Sequence, residues 1–312
     1  MPEIPVIDLG SPVSDAVDWL TEHLGPVFDL VTDVMLHLLN AVLYVLTAPH
    51  AYVVTLVFVA LPLVLRQVGL ALFALAAFIL IQAMDLWIEA MQTLAVVVVA
   101  AVIAVLIGVP VGITASSSRR VSGVARPLLD LMQTLPVFVY LIPAVFFFGV
   151  GVVPGVVATT VFAIPPAVRL TELGIRGVDA EVVEAAQAFG TKPLQTLRRV
   201  QVPLAMPSIL AGINQTIMLA LSMVVIAGMV GADGLGSVVV RGISTLDVGA
   251  GFEGGLGVVL LAIYLDRLSH ALGQPRRRPR RPAEKRPATD QQPRPSAGTG
   301  TQPAGEAALA AS

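Results

Sequence analysis

The sequence predicts an all-α polytopic membrane protein with about seven transmembrane helices, an external amphipathic N-terminal helix and a disordered C-terminal tail. The composition and the arrangement of the apolar residues support this fold class. Of the 312 residues, 56% are hydrophobic and 13% are charged, and the mean hydropathy is +0.84; soluble domains are roughly half apolar and a quarter charged. The apolar residues form long blocks of Val, Leu, Ala and Ile with Gly and Pro among them, as in membrane helices. Cysteine is absent and the four histidines lack ligand spacing, which argues against disulfide and zinc chemistry.

The apolar runs can be compared with the roughly 20 residues that a helix needs to cross the hydrocarbon core. Two short runs, about 50–65 and 67–83, form either accessory spans or a re-entrant pair. The longer runs define the transmembrane core: about 91–115, 128–150, 152–170, 204–230 and 252–271. We therefore divide the chain into four parts: an external N-terminal segment (1–49), two accessory transmembrane helices (50–84), the core (85–272) and a basic cytoplasmic tail (273–312).

Charge then orients the spans, because basic loop residues are retained on the cytoplasmic side. No Lys or Arg precedes Arg66, whereas seven acidic residues do. The basic residues cluster in two connections and in the tail: Arg119, Arg120 and Arg126; Arg169, Arg176, Lys192, Arg198 and Arg199; and eight residues from Arg276 to Arg294. With seven spans these clusters share one side, and only Arg241 lies opposite. The N-terminus is therefore predicted outside and the C-terminus in the cytoplasm.

Both ends of the chain have a distinctive pattern. Over residues 27–47 a polar face lies opposite an apolar one, which predicts an amphipathic helix. The faces are Asp29, Asp33, His37, Asn40 and Tyr44 against Leu30, Val31, Val34, Leu38 and Val45. This helix lies in the outer membrane interface, on another subunit or on the protein's own external surface, and Gly25-Pro26 separates it from a piece at 13–24. The Pro- and Arg-rich tail lacks apolar periodicity, which predicts disorder; its arginines either enforce topology or bind anionic lipid.

The connection between the fifth and sixth predicted spans is about 35 residues long, more than a turn requires. Asp179 suits an N-cap, and Ala180 through Phe189 can be helical until Gly190 ends the helix. Thr191 can then cap a second short helix that ends at Pro203. Apolar residues recur on the first helix at helical spacing: Val182, Ala186 and Phe189. This stripe either packs on the spans or docks into a groove on a cytosolic partner.

The run Glu184-Ala185-Ala186, three residues, Gly190, nine residues, then Val200-Gln201-Val202-Pro203 resembles the EAA loop of ABC-importer permeases. Four stretches further resemble the permease subunit of glycine betaine/proline-type importers, over roughly residues 85–272. They are DLMQTLPVFVYLIPAVFFFGVG (130–151), FAIPPAVRLTELGI (162–175), VPLAMPSILAGINQTIMLALSMVVIAGMVGADGLG (202–236) and VVLLAIYLDRL (258–268). The sequence is thus identified as a member of the binding-protein-dependent inner-membrane component family, with a type I permease core.

The resemblance implies a permease in the inner or plasma membrane of a prokaryote, with a coupling loop at 171–203. Its expected partners are two copies of a cytosolic ATPase, an external substrate-binding protein, a second permease copy and membrane lipid, with no nucleic acid. The residues implied to contact the ATPase are Glu184, Ala185, Ala186, Phe189, Gly190, Val202 and Pro203. The chain lacks a G-x-x-x-x-G-K-[ST] loop. We therefore expect no enzymatic activity and no cofactor on this chain, with ATP and Mg²⁺ held by the partner.

Polar side chains inside apolar spans are candidates for the translocation path, because they are costly unless they face a cavity or bundle interior. These are Gln133, Thr134, Pro136, Asn214, Gln215, Thr216 and Ser222. The proline is included because it can kink the fourth predicted span, at 128–150. The alternative is that they only hydrogen-bond between helices or permease copies. Gly231, Gly234 and Gly236 could let an external loop move as a gate.

The resemblance gives glycine betaine as the first substrate, with choline, carnitine, proline betaine and proline close behind. A quaternary ammonium is best selected by an aromatic cage, which we expect on the separate binding protein. The first alternative is an ABC permease for another small solute, such as methionine or a phosphonate. An ion-coupled secondary transporter fits less well because the middles of the spans are nearly free of Asp and Glu. A membrane enzyme fits least, because no His, Asp and Glu cluster forms.

Overall fold

A computed structural model describes residues 10–273, which are almost entirely helical. The predicted disordered tail beyond Gly273 and the first nine residues lie outside this range. The helices are α1 (Gly10–Thr47), α2 (Ala51–Val64), α3 (Val68–Ala83), α4 (Trp87–Ser117), α5 (Arg119–Thr134), α6 (Phe138–Phe148), α7 (Val152–Arg176), α8 (Ala180–Ala188), α9 (Pro193–Thr196), α10 (Val202–Ser222), α11 (Val224–Met229), α12 (Leu235–Ser244) and α13 (Val248–Gly273). A π-helical turn, Leu197–Gln201, joins α9 to α10. The predicted all-α class is confirmed.

Helix α7 is the centre of the bundle, packed between α4 and α10. Small residues permit these close crossings, as is common between membrane helices. A Cβ on Gly112 of α4 would lie 2.6 Å from the Cβ of Thr171, and one on Gly174 of α7 would lie 2.5 Å from the Cβ of Ser208 on α10. The three helices therefore approach nearly backbone to backbone close to the end of α7 that leads into the following loop.

Helix α1 runs without interruption through Pro26, so the predicted break at Gly25-Pro26 is wrong. A proline costs the helix one backbone hydrogen bond, and here the helix continues despite that loss. The predicted polar face is exposed, as expected. The packed stripe differs from the predicted apolar face: Phe28 stacks on Phe147 at 4.6 Å between ring centroids, and Leu39 packs with Val96 and Val156.

The predicted apolar face of α1 remains largely exposed, with Leu30, Val34, Leu38 and Val45 all in contact with little of the protein. Helix α1 thus has two apolar stripes, of which one covers the ends of α4, α6 and α7 and the other is free for lipid or another subunit. The covered ends are those that the charge distribution predicts to be external. The packed stripe supports the interpretation of the helix as a cover of the protein's own surface. Its place in the membrane interface or on another subunit stays a prediction.

The two short apolar runs form the antiparallel helices α2 and α3, joined to α13 by aromatic contacts. Phe58 and Phe78 stack at 4.7 Å, and the buried Tyr264 hydroxyl donates to the Phe58 carbonyl at 2.9 Å. With 14 and 16 residues, these helices are about 21 and 24 Å long, less than the roughly 30 Å of a hydrocarbon core. That they cross the membrane stays a prediction.

Five helical segments within the described range are long and apolar enough to cross a membrane, and a bent pair, α5 and α6, would add a sixth. The five are Val17–Thr47, Trp87–Ser117, Val152–Arg176, Pro193–Met229 and Val248–Leu272. The predicted single run at 128–150 is instead bent by 97° between Thr134 and Phe138. Pro136 lies at this bend, as predicted, while Pro143 is retained inside α6. The basic residues Arg119, Arg120 and Arg126, expected in a connection, lie within α5, which follows α4 after the single residue Ser118.

Helices α11 and α12, with the first turns of α13, lie at the end of the bundle opposite to the α7–α8 connection. A Cβ on Gly236 would lie 2.2 Å from the Val224 carbonyl, so α11 and α12 touch through their backbones. Gly242 and Gly251 bring α12 and α13 equally close, with 2.5 Å from a Gly242 Cβ to the Gly251 nitrogen. The glycines that we expected to loosen an external gate include Gly236, which instead serves as a contact surface in this structure.

Candidate functional site

The loop predicted to couple to a partner (171–203) contains the helical segment 179–203, here called the elbow, which is built from strong local signals. Asp179 caps α8 by accepting a hydrogen bond from the Glu181 nitrogen at 2.9 Å, as predicted. Gly190 follows α8 with φ of +82°, a conformation that glycine adopts readily. The predicted helix, its N-cap and its C-terminal glycine are therefore confirmed.

The second helix of the elbow differs from the prediction at both ends. Lys192, rather than Thr191, is the N-cap of α9, and its backbone nitrogen donates to the Gln195 side chain at 3.2 Å. The Thr191 hydroxyl instead donates back to the Ala186 carbonyl at 2.7 Å, which ties the elbow's second half to α8. The helix does not end at Pro203, because a π-helical turn directly before it widens the backbone and α10 continues through the proline.

The elbow presents large apolar side chains to its surroundings. Phe189 is 90% exposed and Leu194 is 74% exposed, and Glu184 and Ala185 lie on the same exposed segment. Val182 is exposed and Ala186 is half-buried, so the predicted stripe does not pack on the spans. The inward position is taken by Val183, which lines a cavity of about 410 Å³ between the elbow and the ends of α4 and α7.

The elbow is fixed to the bundle at its C-terminal side. Val202 packs with Ile175, Ala205 and Ile209, while Pro203 is exposed. The buried Thr196 hydroxyl is within 2.7 Å of the Thr191 hydroxyl, inside the elbow. Because its base is packed and internally hydrogen-bonded, the elbow can hold Phe189 and Leu194 in a defined position.

A buried carboxylate, Glu172, lies in the last turns of α7 before the elbow and is only 3% exposed. One of its oxygens, Oε1, accepts from the Ser122 hydroxyl at 2.7 Å and from the Arg126 Nη2 at 2.9 Å, both on α5. The Arg176 Nε lies 2.9 Å from the same oxygen, and the Arg176 Nη2 donates to the Ala115 carbonyl at 2.9 Å. This group (Ser122, Arg126, Glu172, Arg176), here called the carboxylate cluster, joins α4, α5 and α7.

The candidate path residues do not all have the same environment. Gln133, Thr134 and Pro136 are exposed at the bend between α5 and α6. Gln215 and Ser222 are exposed on α10, seven residues apart and therefore on one face. The hydroxyls of Thr134 and Ser222 donate to their own helices, to the carbonyls of Leu131 and Met218.

Asn214 and Thr216, by contrast, are not exposed. The Asn214 side chain contacts α13, where its Nδ2 lies 3.0 Å from the His270 Nε2 and its Oδ1 accepts from the Ser269 hydroxyl. Thr216 is fully buried, and its hydroxyl has no hydrogen-bond partner among the described residues. Asn214 thus holds α10 to α13, which corresponds to the alternative interpretation of interhelical bonding for that residue.

The carboxylate cluster and Leu194 were not among the functional residues predicted from the sequence. Glu172 lies in the stretch FAIPPAVRLTELGI, where it contributed only to the family resemblance. An acidic residue near the end of an apolar span is itself a signal of a buried polar or charged partner. Leu194 follows Pro193 and does not belong to a periodic pattern of apolar residues that would have marked it as part of a helix face. Within residues 10–273, no three His, Asp or Glu side chains lie close enough together to share a metal ion.

The closely crossed helices, the bent pair α5–α6 and the helical elbow between two spans define a polytopic membrane protein of the permease class. Residues 104–278, more than half of the chain, match the family described as "Binding-protein-dependent transport system inner membrane component". The chain belongs to this family of transport permeases, which are membrane subunits and not themselves enzymes.

Comparison with individual proteins agrees with this assignment. The chain is 48% identical over 269 residues to the glycine betaine/proline betaine transport system permease protein ProW of Escherichia coli (strain K12), covering 86% of this chain and 76% of that protein. It is 47% identical to the glycine betaine transport system permease protein OpuAB of Bacillus subtilis (strain 168), covering 86% and 94%. The MetNI methionine ABC transporter, in an inward-facing crystal form, shares the fold: the TM-score is 0.55 at 21% identity over 58% of this chain and 91% of that one.

Proposed function

We propose that this chain is the permease subunit of an ATP-driven importer for osmoprotectants of the glycine betaine, proline and choline type. The names of the similar proteins support this substrate class. Several are permeases for glycine betaine, and some of these names add proline betaine or carnitine. The chain would form the translocation path in the cell membrane of a prokaryote as a homodimer, with the N-terminus outside and the C-terminus in the cytoplasm.

We further propose that the elbow docks on a separate ATPase subunit, one on each of two permease copies. The observation that carries this proposal is the exposure of Phe189 and Leu194 on a base that is packed and hydrogen-bonded. An aromatic side chain left in water forfeits about 1.5–3 kcal/mol that burial would return. A groove on a partner that covers it would supply that free energy, in the helix-in-groove mode.

The proposed transport cycle follows from these parts. ATP and Mg²⁺ would be held by the ATPase pair, whose closure would displace the two elbows and rock the spans between inward- and outward-facing states. An external binding protein would deliver the solute. Gln133, Thr134, Gln215 and Ser222, together with the bend at Pro136, are the remaining path candidates because their surfaces are exposed. Thr216 stays a candidate through its unpartnered buried hydroxyl.

The test is reconstitution of the chain in lipid vesicles with its ATPase and its binding protein. We expect labelled glycine betaine to accumulate only when all three components and MgATP are present, with choline and proline as competing substrates. Uptake of methionine or a phosphonate in place of every quaternary amine would overturn the substrate proposal while keeping the permease. Uptake driven by an ion gradient without the ATPase would overturn the ATP-driven mechanism.

A further inference from the structure

The carboxylate cluster lies where the elbow joins the bundle. Glu172 precedes Gly177, the C-cap of α7, by five positions, and α8 begins three residues after that glycine. Any displacement of the elbow therefore reaches the cluster before the rest of α7. Among residues 10–273, no hydrogen bond or ion pair joins the cluster to a path candidate, so solute binding does not explain its charge.

The cluster connects helices that are separate in the chain. Ser122 and Arg126 lie on one face of α5, four residues apart, and both donate to the same oxygen of Glu172 on α7. Arg169, one turn earlier on α7, forms a second ion pair with Asp130, which is four residues further along α5. Two adjacent ionic contacts thus hold α5 alongside α7 over about one turn of each helix.

We infer that Glu172 is a positioning residue that locks α5 to α7, so that movement of the elbow is transmitted to α5 and, through the bend at Pro136, to α6. The inference rests on the proposed function of the elbow. A carboxylate suits this role because charge-assisted hydrogen bonds are directional and roughly twice as strong as neutral ones. Burial at 3% exposure protects the bonds to Glu172 from competing water. Apolar contact alone would let the helices slide.

Arg126→Gln is the most informative substitution. It removes the charged donor on α5 but leaves Glu172 paired with Arg176, so no charge is left buried without a partner. The Arg126 side chain is also largely exposed, which favours normal folding of the variant. Arg120→Gln is the matched control. This substitution removes the same charge from the same helix, and Arg120 makes no ion pair among the described residues.

The measurement uses spin labels, because the chain has no native cysteine. Single cysteines at Glu181, on the elbow, and at Val124, an exposed position on α5, report the two ends of the link. In vesicles with the ATPase and binding protein, both labels should change their spectra on addition of ATP in the parent chain and in Arg120→Gln. In Arg126→Gln the Glu181 label should still respond, and uptake per ATP hydrolysed should fall roughly tenfold. The Val124 response should be reduced, because only the Ser122 hydrogen bond and the Arg169–Asp130 pair still join α5 to α7.

The outcomes separate this inference from the function that it rests on. If the Glu181 label fails to respond to ATP even in the parent chain, the proposed elbow function is wrong. If the Glu181 and Val124 labels both respond normally in Arg126→Gln, and uptake per ATP is unchanged, the positioning role is wrong. A merely structural role would lower the amount of assembled complex and both activities in parallel, with the uptake-to-hydrolysis ratio preserved; that result would also overturn the inference. Arg126→Lys should restore part of the ratio.

Discussion

The side-chain oxygen of Thr93 accepts a hydrogen bond from the backbone nitrogen of Leu235 at 2.9 Å, which joins residues 142 positions apart. Both residues are buried, and Leu235 opens α12. The first amides of a helix have no partner within the helix, so an outside acceptor is needed when the helix end is buried. Thr93 of α4 supplies it, and α12 is thereby placed against the core.

Replacing Thr93 with valine should therefore destabilise the protein at nearly constant volume. The Leu235 amide would be left buried without an acceptor, at a cost of about 1–3 kcal/mol. Thermal unfolding in detergent, followed by tryptophan fluorescence, measures the loss. Thr245→Val is the control, because that exposed hydroxyl bonds only to its own helix, at the Arg241 carbonyl. Equal stability of the two variants would contradict the assigned role of Thr93.

The close crossing of α4 and α7 predicts that Gly112→Ala disrupts packing. The added methyl would lie 2.6 Å from both the Thr171 Cβ and the Val168 carbonyl, so the helices must separate. Overpacking of this kind costs about 1–3 kcal/mol. Gly69→Ala is the matched control, because a Cβ there meets no atom within 4 Å. A melting temperature of Gly112→Ala equal to that of the control would show that the crossing is not tight in the protein.

The positive φ of Gly190 predicts a graded loss of coupling. An alanine in this left-handed conformation costs about 1–2 kcal/mol, whereas asparagine tolerates it better. ATP-driven uptake should thus fall in the order parent, Gly190→Asn, Gly190→Ala, with membrane insertion unchanged. Gly123→Ala controls for the added methyl: a Cβ is equally free of contacts there, and Gly123 is not among the positive-φ glycines. Full uptake by Gly190→Ala would contradict the need for this conformation.

The exposed phenylalanine of the elbow predicts a binding defect without a stability defect. Phe189→Ala should leave the melting temperature unchanged, because the side chain touches little of the protein. It should weaken association with the ATPase by roughly tenfold, since burial of an aromatic ring is lost from the interface. Phe252→Ala, an exposed phenylalanine in the first turns of α13, is the control and should bind normally. The readout is co-purification of the ATPase and its dissociation constant in detergent.

Substitutions at the neighbouring residues Asn214 and Gln215 should have different effects, one on stability and the other on transport. Asn214→Ala removes the side chain that links α10 to α13 and should lower the melting temperature. Gln215→Ala removes an exposed side chain and should leave the melting temperature unchanged while altering the KM for solute uptake. Should Gln215→Ala transport with parental kinetics, this position would no longer be a candidate for the path.

Much of the candidate site was predictable because its signals are local. An N-cap aspartate acts on an amide two residues away, and a C-terminal glycine acts through its own φ angle, so Asp179 and Gly190 could be assigned without knowledge of the surroundings. Thr191 was assigned wrongly because a hydroxyl in this position can either cap the following helix or donate to a carbonyl of the preceding one. Its choice of the Ala186 carbonyl depends on how the chain turns at Gly190.

The bend between α5 and α6 and the passage of α1 through Pro26 show where local reasoning failed. Both places carry a proline, which always removes one backbone donor. At Pro136 the chain turns by 97°, whereas at Pro26 the helix persists. The difference lies in contacts that the sequence does not display, since Phe28 and Leu39, on one face of the continuous helix after Pro26, pack against α6 and α4.

The sequence by itself determined the membrane class, the all-α fold, the family and the position of the elbow, because hydropathy, charge and helix caps act over a few residues or over whole segments. The tertiary structure alone decided which side chains meet across the bundle. The pairing of Glu172 with Ser122, 50 residues away, and of Thr93 with Leu235 depends on how the helices pack against one another. A buried polar group must find a partner, but only the packed helices determine which partner is within reach.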